Sequence, residues 1–336
     1  MRLTAHGTTQ LSGNHRRRSF LRFTAVLAIL PSALCLMLSG CGTPNSTSSG
    51  TPDARPKVVS TSTILTDLAA EVGQDQIQLV GILKPGADPH IYEPVPGDIK
   101  QLEQADVIVY NGYNLEPGLI RLMESAGAKA EKLAAGEVVT PLQLAKEGRP
   151  VPDPHVWGDV KNVIQMVAAI RDALSKANPQ ARDRFAQNAA QLTKELEQLD
   201  TWIRQQIQTI PPEKRRLVTT HDAFQYYGRA YSMAIVGTLI GISTEEQPSA
   251  QTVQTLVQAI KTAGVPAIFA ETTINPALIQ TVASEANVQL APKQLYSDSI
   301  GAPGSDGDTY IKMMVANTTA IVGALGGTVT PFKSSS

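Results

Sequence analysis

Three histidines are the residues of this chain whose type and surroundings best suit metal chemistry. Beyond residue 40, the 336-residue sequence contains only His90, His155 and His221. They lie in the segments A-D-P-H-I-Y-E-P, P-D-P-H-V-W-G-D and V-T-T-H-D-A-F. A single histidine is more often a hydrogen-bonded structural residue, but imidazole is also the commonest protein ligand for transition metals. Because all three share loop positions and acidic neighbours, they predict a site for one divalent ion.

A fourth ligand is expected from the C-terminal part of the chain, since closed zinc sites are four-coordinate. The best candidate is Asp298, in the segment L-Y-S-D-S-I-G. Asp306 and Asp308, in the following G-S-D-G-D, are rival candidates. Carboxylates beside loop glycines are usually turn formers, which weakens the case for these rivals.

Further carboxylates near the histidines are predicted to orient the imidazole rings. A carboxylate that accepts the second ring N–H of a ligating histidine fixes its tautomer. The candidates within three residues of a histidine are Asp88, Glu93, Asp153 and Asp222. Glu271, in I-F-A-E-T-T, either lies near the site or serves as a carboxylate at the start of a helix.

The fold class follows from short apolar segments that alternate with helix-like segments. Strand-like segments lie at 57–60, 76–83 and 106–110, and a second set lies at 216–220, 234–236, 267–270 and 289–290. Such alternation predicts an α/β fold with mostly parallel sheets flanked by helices. We expect two lobes, residues 57–177 and 211–330, followed by a disordered tail at 331–336.

One long amphipathic helix, residues 178–210, is predicted between the two lobes. Its apolar residues follow a spacing of three and four: Phe185, Ala189, Leu192, Leu196, Leu199, Ile203 and Ile207. Prolines stand at both ends of this stretch. About 31 residues at 1.5 Å each span roughly 47 Å, which suits one rigid helix joining two lobes. The alternative is a coiled-coil dimerisation helix, although the stripe is short for a sustained heptad array.

The first 56 residues predict export and a lipid anchor. Residues 1–40 carry five arginines and no acidic residue, and an apolar run from Phe23 to Leu38 follows them. This is the layout of an export signal, and the run is shorter than the roughly 20 residues of a membrane-spanning helix. The run ends in L-S-G-C, which resembles a lipobox with Cys41 as the lipidated residue. Arg17-Arg18-Ser19-Phe20-Leu21 also resembles a twin-arginine signal, and an uncleaved anchor is the alternative. Residues 41–56, rich in Ser, Thr, Pro and Gly, predict a flexible tether.

Cysteine content and charge exclude several classes of protein. Only Cys35 and Cys41 occur, so the exported part has no thiol for a disulfide, a zinc ribbon or a thiolate site. Without the five arginines of residues 1–40, the chain keeps 24 basic and 30 acidic residues, a net charge near −6. This balance argues against nucleic-acid binding and suits a cationic ligand.

These motifs together resemble the TroA-like group of zinc- and manganese-binding lipoprotein receptors of bacterial ABC importers. The resemblance covers residues 57–327 and rests on the two D-P-H segments, V-T-T-H-D-A-F-Q-Y-Y-G-R-A-Y, A-I-F-A-E-T-T and L-Y-S-D-S-I-G followed by G-D-T-Y. It implies that His90, His155, His221 and Asp298 hold one ion as cargo, with the first two on one lobe and the last two on the other. It also implies a monomer that delivers the ion to a membrane permease served by a separate ATPase.

The identity of the ion stays open between zinc and manganese. The chain lacks the His-rich loop of many zinc receptors, and it has His221 where many manganese receptors have glutamate. Three imidazoles and one carboxylate slightly favour Zn²⁺, whereas Mn²⁺ prefers more oxygen ligands. A zinc hydrolase is the rival from another class, but no H-E-x-x-H occurs and four protein ligands would leave no position for water. A surface adhesion or scaffold protein is the other alternative.

Overall fold

The computed structural model describes residues 54–126, 129–146 and 148–333. The predicted export signal, Cys41 and most of the predicted tether lie outside these residues. Within the described ranges, no helix combines the length and apolar character needed to cross a membrane.

The N-terminal half, residues 54–177, is built on a four-stranded parallel sheet. Its strands pair in the order β2-β1-β3-β4, with β1 at Lys57–Ser60, β2 at Gln78–Gly81, β3 at Val107–Tyr110 and β4 at Glu131–Ala134. Its helices are α1 at Thr63–Gly73, α2 at Pro96–Glu103, α3 at Pro117–Ser125 and α4 at Val160–Ala177. An antiparallel hairpin of β5 (Gln143–Lys146) and β6 (Arg149–Pro152) precedes α4.

The long helix that the sequence predicts between the halves is α5, Arg182–Gln208. It follows a 3₁₀ turn at Pro179–Ala181, and the apolar stripe from Phe185 to Ile207 is buried. This face packs against α1 and α4 of the N-terminal half and against α9 (Tyr310–Ala324) near the C-terminus. Because the stripe is buried within the chain, it is not free for the coiled-coil alternative.

The C-terminal half, residues 211–333, contains two pairs of short parallel strands. β7 (Arg216–Thr219) pairs with β8 (Ala234–Thr238), and β9 (Ala267–Ile268) pairs with β10 (Gln289–Leu290). A backbone hydrogen bond from Phe269 N–H to Val218 O joins the pairs in the order β8-β7-β9-β10. The helices that accompany these strands are α6 at Gln225–Tyr231, α7 at Ala250–Ala263 and α8 at Ala277–Ala286, with α9 following.

The core consists of one large shared cluster and two smaller ones. The large cluster joins residues of α1, α4, α5 and α9 and so belongs to both halves. One smaller cluster lies between the first sheet and the helices α2 and α3, and the other lies between the second set of strands and the helices α7 and α8. The predicted α/β fold, with parallel sheets flanked by helices and one long helix, is therefore confirmed.

Several local predictions differ from the structure. The edge strand β4 and the β5–β6 hairpin were not predicted from the sequence. Their segments, E-K-L-A in β4 and R-P-V-P in β6, lack the continuous apolar run of a central strand. Near the end of the predicted tether, the Arg55 guanidinium donates to Asp75 O at 3.1 Å. In the predicted tail, the Phe332 ring packs edge-on against the Trp202 ring, with 5.6 Å between the ring centroids.

Candidate metal centre

The three histidines and Asp298 converge on one buried point. One nitrogen of each imidazole and one carboxylate oxygen all lie within 4.8 Å of one another. His155 and His221 are fully buried, Asp298 is 1% exposed and His90 is 5% exposed. Two ligand atoms on opposite sides of an ion, each about 2.1 Å from it, would be about 4.2 Å apart. The cluster, at up to 4.8 Å, is slightly wider than this limit, so the four groups would have to move slightly closer together around a single ion.

Loops at the ends of strands place these four residues. His90 lies between β2 and α2, and His155 lies between β6 and a 3₁₀ turn that leads into α4. His221 comes two residues after β7, and Asp298 lies in the loop between β10 and α9. Side chains beyond the carboxyl ends of parallel strands form the usual ligand position of open α/β sheets.

The ring nitrogens face one another across the site. His90 Nε2 and His155 Nε2 are 3.1 Å apart. Asp298 Oδ1 is 3.5 Å from His155 Nε2, and Asp298 Oδ2 is 3.1 Å from His221 Nε2. The ring centroids of the three histidines are 5.2 to 5.9 Å apart. The Nε2 atoms and the carboxylate thus share one small space.

Two buried carboxylates contact the Nδ1 atoms of His155 and His221. Asp153 Oδ1 lies 2.7 Å from His155 Nδ1 and also accepts the backbone N–H of His155 at 3.0 Å. Glu271 Oε2 contacts His221 Nδ1, while Glu271 Oε1 accepts the His221 backbone N–H at 2.8 Å. A carboxylate at Nδ1 fixes the tautomer that leaves Nε2 as the ligand atom. Both rings are therefore oriented for coordination before an ion binds.

The other predicted carboxylates lie elsewhere. Asp88 accepts a hydrogen bond from the backbone N–H of His90 at 2.9 Å. It therefore stabilises the turn at His90 and does not orient the imidazole through this contact. Glu93 is exposed, and Asp222 accepts from Gln225 Nε2 at 2.7 Å. Neither of these two is therefore placed as an acceptor for an imidazole, because sequence proximity does not set the direction of a side chain.

The rival ligands Asp306 and Asp308 lie outside the cluster. Asp306 accepts from the Tyr296 hydroxyl at 2.7 Å, and Asp308 Oδ2 accepts the Gly304 N–H at 2.8 Å. Both are turn carboxylates beside glycines, as loop geometry favours. Of the three carboxylates considered as the fourth ligand, only Asp298 reaches the imidazoles.

Residues that the sequence interpretation missed hold the His155 loop in place. Asn111 Nδ2 donates to Pro154 O at 2.9 Å, and the Tyr226 hydroxyl donates to Asp153 O at 3.0 Å. Asn111 directly follows β3, and this position at the end of a strand was the only sequence feature that could have indicated its role. An asparagine at such a position is usually a turn residue, so it was not selected.

The electrostatics of the cluster suit a bound cation. Burial raises the pKa of Asp298, but the charge and hydrogen bond of His221 outweigh it, and the pKa lies below its usual range. Burial alone would lower the pKa of His221, yet the Asp298 and Glu271 carboxylates raise that pKa well above its ordinary value. Burial lowers the pKa of His90 to about 3. The metal-free site therefore holds an ionised carboxylate, a neutral His90 and a protonated His221.

Buried polar atoms at the centre of the cluster lack ordinary partners. His221 Nε2 and both carboxylate oxygens of Asp298 receive no well-directed hydrogen bond from the described residues. A divalent ion coordinated by these atoms would give them the partners that they lack, so the donor set fits a metal.

A cleft reaches the site on the side of His90. It measures about 930 Å³, and its lining includes His90, Glu93, Tyr113, Ile242 and Glu245. At this side, the Thr244 hydroxyl of the C-terminal half donates to Asp88 Oδ2 at 2.6 Å. His90, the least buried of the four clustered residues, is therefore the one nearest solvent.

The fold and the cluster define a class of α/β binding proteins that enclose one ligand between two parallel-sheet halves. Comparisons with known proteins narrow this class. Residues 58–324 match the family described as zinc-uptake complex component A, periplasmic. The chain belongs to this family.

Similar proteins carry names for two different metals. The chain is 33% identical over 292 residues to the manganese-binding lipoprotein MntA of Halalkalibacterium halodurans, covering 87% of this chain and 95% of that protein. It is 35% identical over 277 residues to the zinc-binding protein TroA of Treponema pallidum, covering 81% of this chain and 90% of that protein. The solved structure of the periplasmic zinc-binding protein TroA from Treponema pallidum superimposes with a TM-score of 0.77 at 34% identity, covering 81% of this chain and 99% of that one.

Proposed function

We propose that the protein captures one Zn²⁺ or Mn²⁺ ion outside the cytoplasmic membrane and delivers it to the permease of an ABC importer. The observation that carries this proposal is the buried set of three imidazoles and one carboxylate within 4.8 Å. Family membership supports the transport role, because the matched family is a component of a metal-uptake complex. An importer of this type comprises a permease and an ATPase as partners of the binding protein.

The donor set slightly favours zinc as the cargo. Three nitrogens and one oxygen complete a tetrahedral site for Zn²⁺, whereas Mn²⁺ prefers more oxygen ligands and a higher coordination number. Manganese is the second candidate because MntA, one of the similar proteins, is named for it. Zinc binds more tightly than manganese at most nitrogen sites, so affinity alone does not name the physiological cargo.

An enzymatic role is disfavoured by the contacts of Glu271. Both of its oxygens are engaged by His221, so Glu271 is not free to act as a general base. A catalytic zinc also keeps an open coordination position for water, which four protein ligands would fill. We therefore propose a binding protein rather than a hydrolase.

The location and assembly of the protein are part of the same proposal. The lipobox-like sequence before Cys41 supports a lipid anchor, with the folded part held at the outer face of the cytoplasmic membrane or in the periplasm. We propose that it acts as a monomer and binds no nucleic acid. Loss of metal uptake in cells carrying His155→Ala, with the fold intact, would separate this role from surface adhesion or a scaffold function.

The first test is titration of metal-stripped protein with Zn²⁺ and with Mn²⁺, separately and in competition. We expect binding of one ion per chain. Asp298→Ala should weaken zinc binding by at least about tenfold, because only three imidazoles remain as protein ligands. Asp306→Ala, a loop carboxylate outside the cluster, is the matched control and should change affinity less than about twofold. The proposed site would be refuted if neither ion bound, or if Asp298→Ala and Asp306→Ala lost equal amounts of zinc affinity.

A further inference from the structure

The segment that carries Asp298 is attached to the opposite half of the molecule. Asp298 belongs by sequence to the C-terminal half, but its neighbour Ser297 accepts a hydrogen bond through its carbonyl from Trp157 Nε1 at 2.9 Å. Trp157 lies in the N-terminal half, two residues after the ligand His155. The indole is 4% exposed, so this contact is shielded from water.

The other neighbour of Asp298 is held by the first residue of α1. Thr63 Oγ1 lies 3.1 Å from Ser299 Oγ and accepts the Ile300 N–H at 3.0 Å. Ser299 Oγ also accepts the N–H of Gly86, in the loop before His90, at 2.8 Å. Thr63 is 3% exposed and Ser299 is fully buried. Hydrogen bonds from the N-terminal half thus flank Asp298 on both sides.

The far end of the same loop is tied to α1 as well. Asp67, one helical turn after Thr63, accepts the backbone N–H of Tyr310 at 2.8 Å. The Tyr310 hydroxyl donates to Trp157 O at 2.7 Å. Because Tyr310 is the first residue of α9, the start of that helix has its position set by the N-terminal half.

His221 is held differently. The Glu271 carboxylate contacts the His221 ring at Nδ1 and accepts a hydrogen bond from its backbone N–H. Glu271 follows β9 in the C-terminal half. The next residue, Asp222, donates its N–H to Gly241 O, also in the C-terminal half. The Asp298 segment is therefore bonded to the N-terminal half on both sides, whereas these contacts of His221 lie within the C-terminal half.

We propose that Thr63 is a positioning residue that fixes the Asp298 carboxylate against the histidines of the N-terminal half. His90, His155 and Asp298 then form one rigid group, and His221 is the ligand whose distance changes when the two halves shift. This inference rests on the proposed metal binding. It adds that contacts with the N-terminal half fix the position of Asp298. The ion would stay with three ligands and lose His221 first.

The test compares three substitutions in the purified mature protein, with Zn²⁺ as the probe. Thr63→Val keeps the shape of the side chain but removes the hydroxyl, and we expect a loss of affinity of about 10- to 100-fold, the usual effect of losing a residue that orients a ligand. Thr63→Ser keeps the hydroxyl and should restore affinity to within about threefold. Thr66→Val, on the same helix, removes contacts to Ser60 and Ser62 only and should bind zinc like the parent.

A double-mutant cycle distinguishes positioning from general destabilisation. If Thr63 acts through Asp298, then Thr63→Val should cost less than about twofold in the Asp298→Ala background, because interacting residues are non-additive. An equal loss in both backgrounds, or an equal loss in Thr66→Val, would overturn the proposal. A parent protein that binds no zinc would instead refute the proposed function, whereas normal binding by Thr63→Val refutes only the positioning role.

Discussion

Replacement of His221 by alanine is expected to lower zinc affinity by more than about 100-fold. In the proposed site this side chain supplies a nitrogen ligand, and removing a ligand should exceed the 10- to 100-fold effect of losing a residue that only orients one. Glu271 would also lose the ring that neutralises its fully buried carboxylate. An uncompensated buried charge is strongly destabilising, so the metal-free variant should also unfold at a lower temperature.

The matched control for this variant is Asp222→Asn, at the adjacent position. Asp222 hydrogen-bonds to Gln225 rather than to an imidazole, so its amide replacement should change zinc affinity less than about threefold. Competition with a chelator of known affinity measures both variants on one scale. Near-normal zinc binding by His221→Ala would show that the ion is not held at this cluster.

The second large effect is expected from pH, because ligating imidazoles must be neutral. At neutral pH the metal-free protein carries a proton on His221, whose pKa the Asp298 and Glu271 carboxylates raise well above its ordinary value despite burial. An arriving ion must displace this proton. Because lower pH makes that displacement less favourable, affinity should fall as pH falls, by roughly tenfold per pH unit for one displaced proton.

Titration calorimetry of zinc binding at pH 7.5, in buffers of different ionisation enthalpy, counts the displaced protons directly. We expect about one proton per ion from the protonated His221. His90, whose pKa burial lowers to about 3, should contribute none. Glu271→Gln removes one of the charges that raise the His221 pKa, so this variant should release fewer protons. An affinity that is constant between pH 5 and 7.5 would contradict the histidine assignment.

The sequence predicted which four residues the structure brings together, because histidines are rare in this chain and their neighbours along the sequence are distinctive. Only three histidines occur beyond residue 40, and each lies in a loop beside a carboxylate. The position of His221 after a strand could be read from R-L-V-T-T, because strand ends are where open sheets bind ligands. The long helix was predictable for a similar reason, since its apolar stripe continues from Phe185 to Ile207.

Contacts between residues distant in sequence were not predictable in the same way. Asp153 and Glu271 both hold an imidazole, yet Glu271 is 50 positions from its ring while Asp222, the nearest carboxylate, bonds elsewhere. The bond between Thr63 and Ile300 joins residues 237 positions apart. Such pairs depend on how the two halves pack, and that arrangement is a property of the shared core rather than of any local pattern.

The most direct test of the central claim is a crystal structure of the zinc-loaded protein with anomalous scattering measured at the zinc edge. We expect one anomalous peak per chain, about 2.0–2.2 Å from a nitrogen of each of His90, His155 and His221 and from an oxygen of Asp298. A peak located elsewhere, or one that any of the three imidazoles fails to contact, would contradict it.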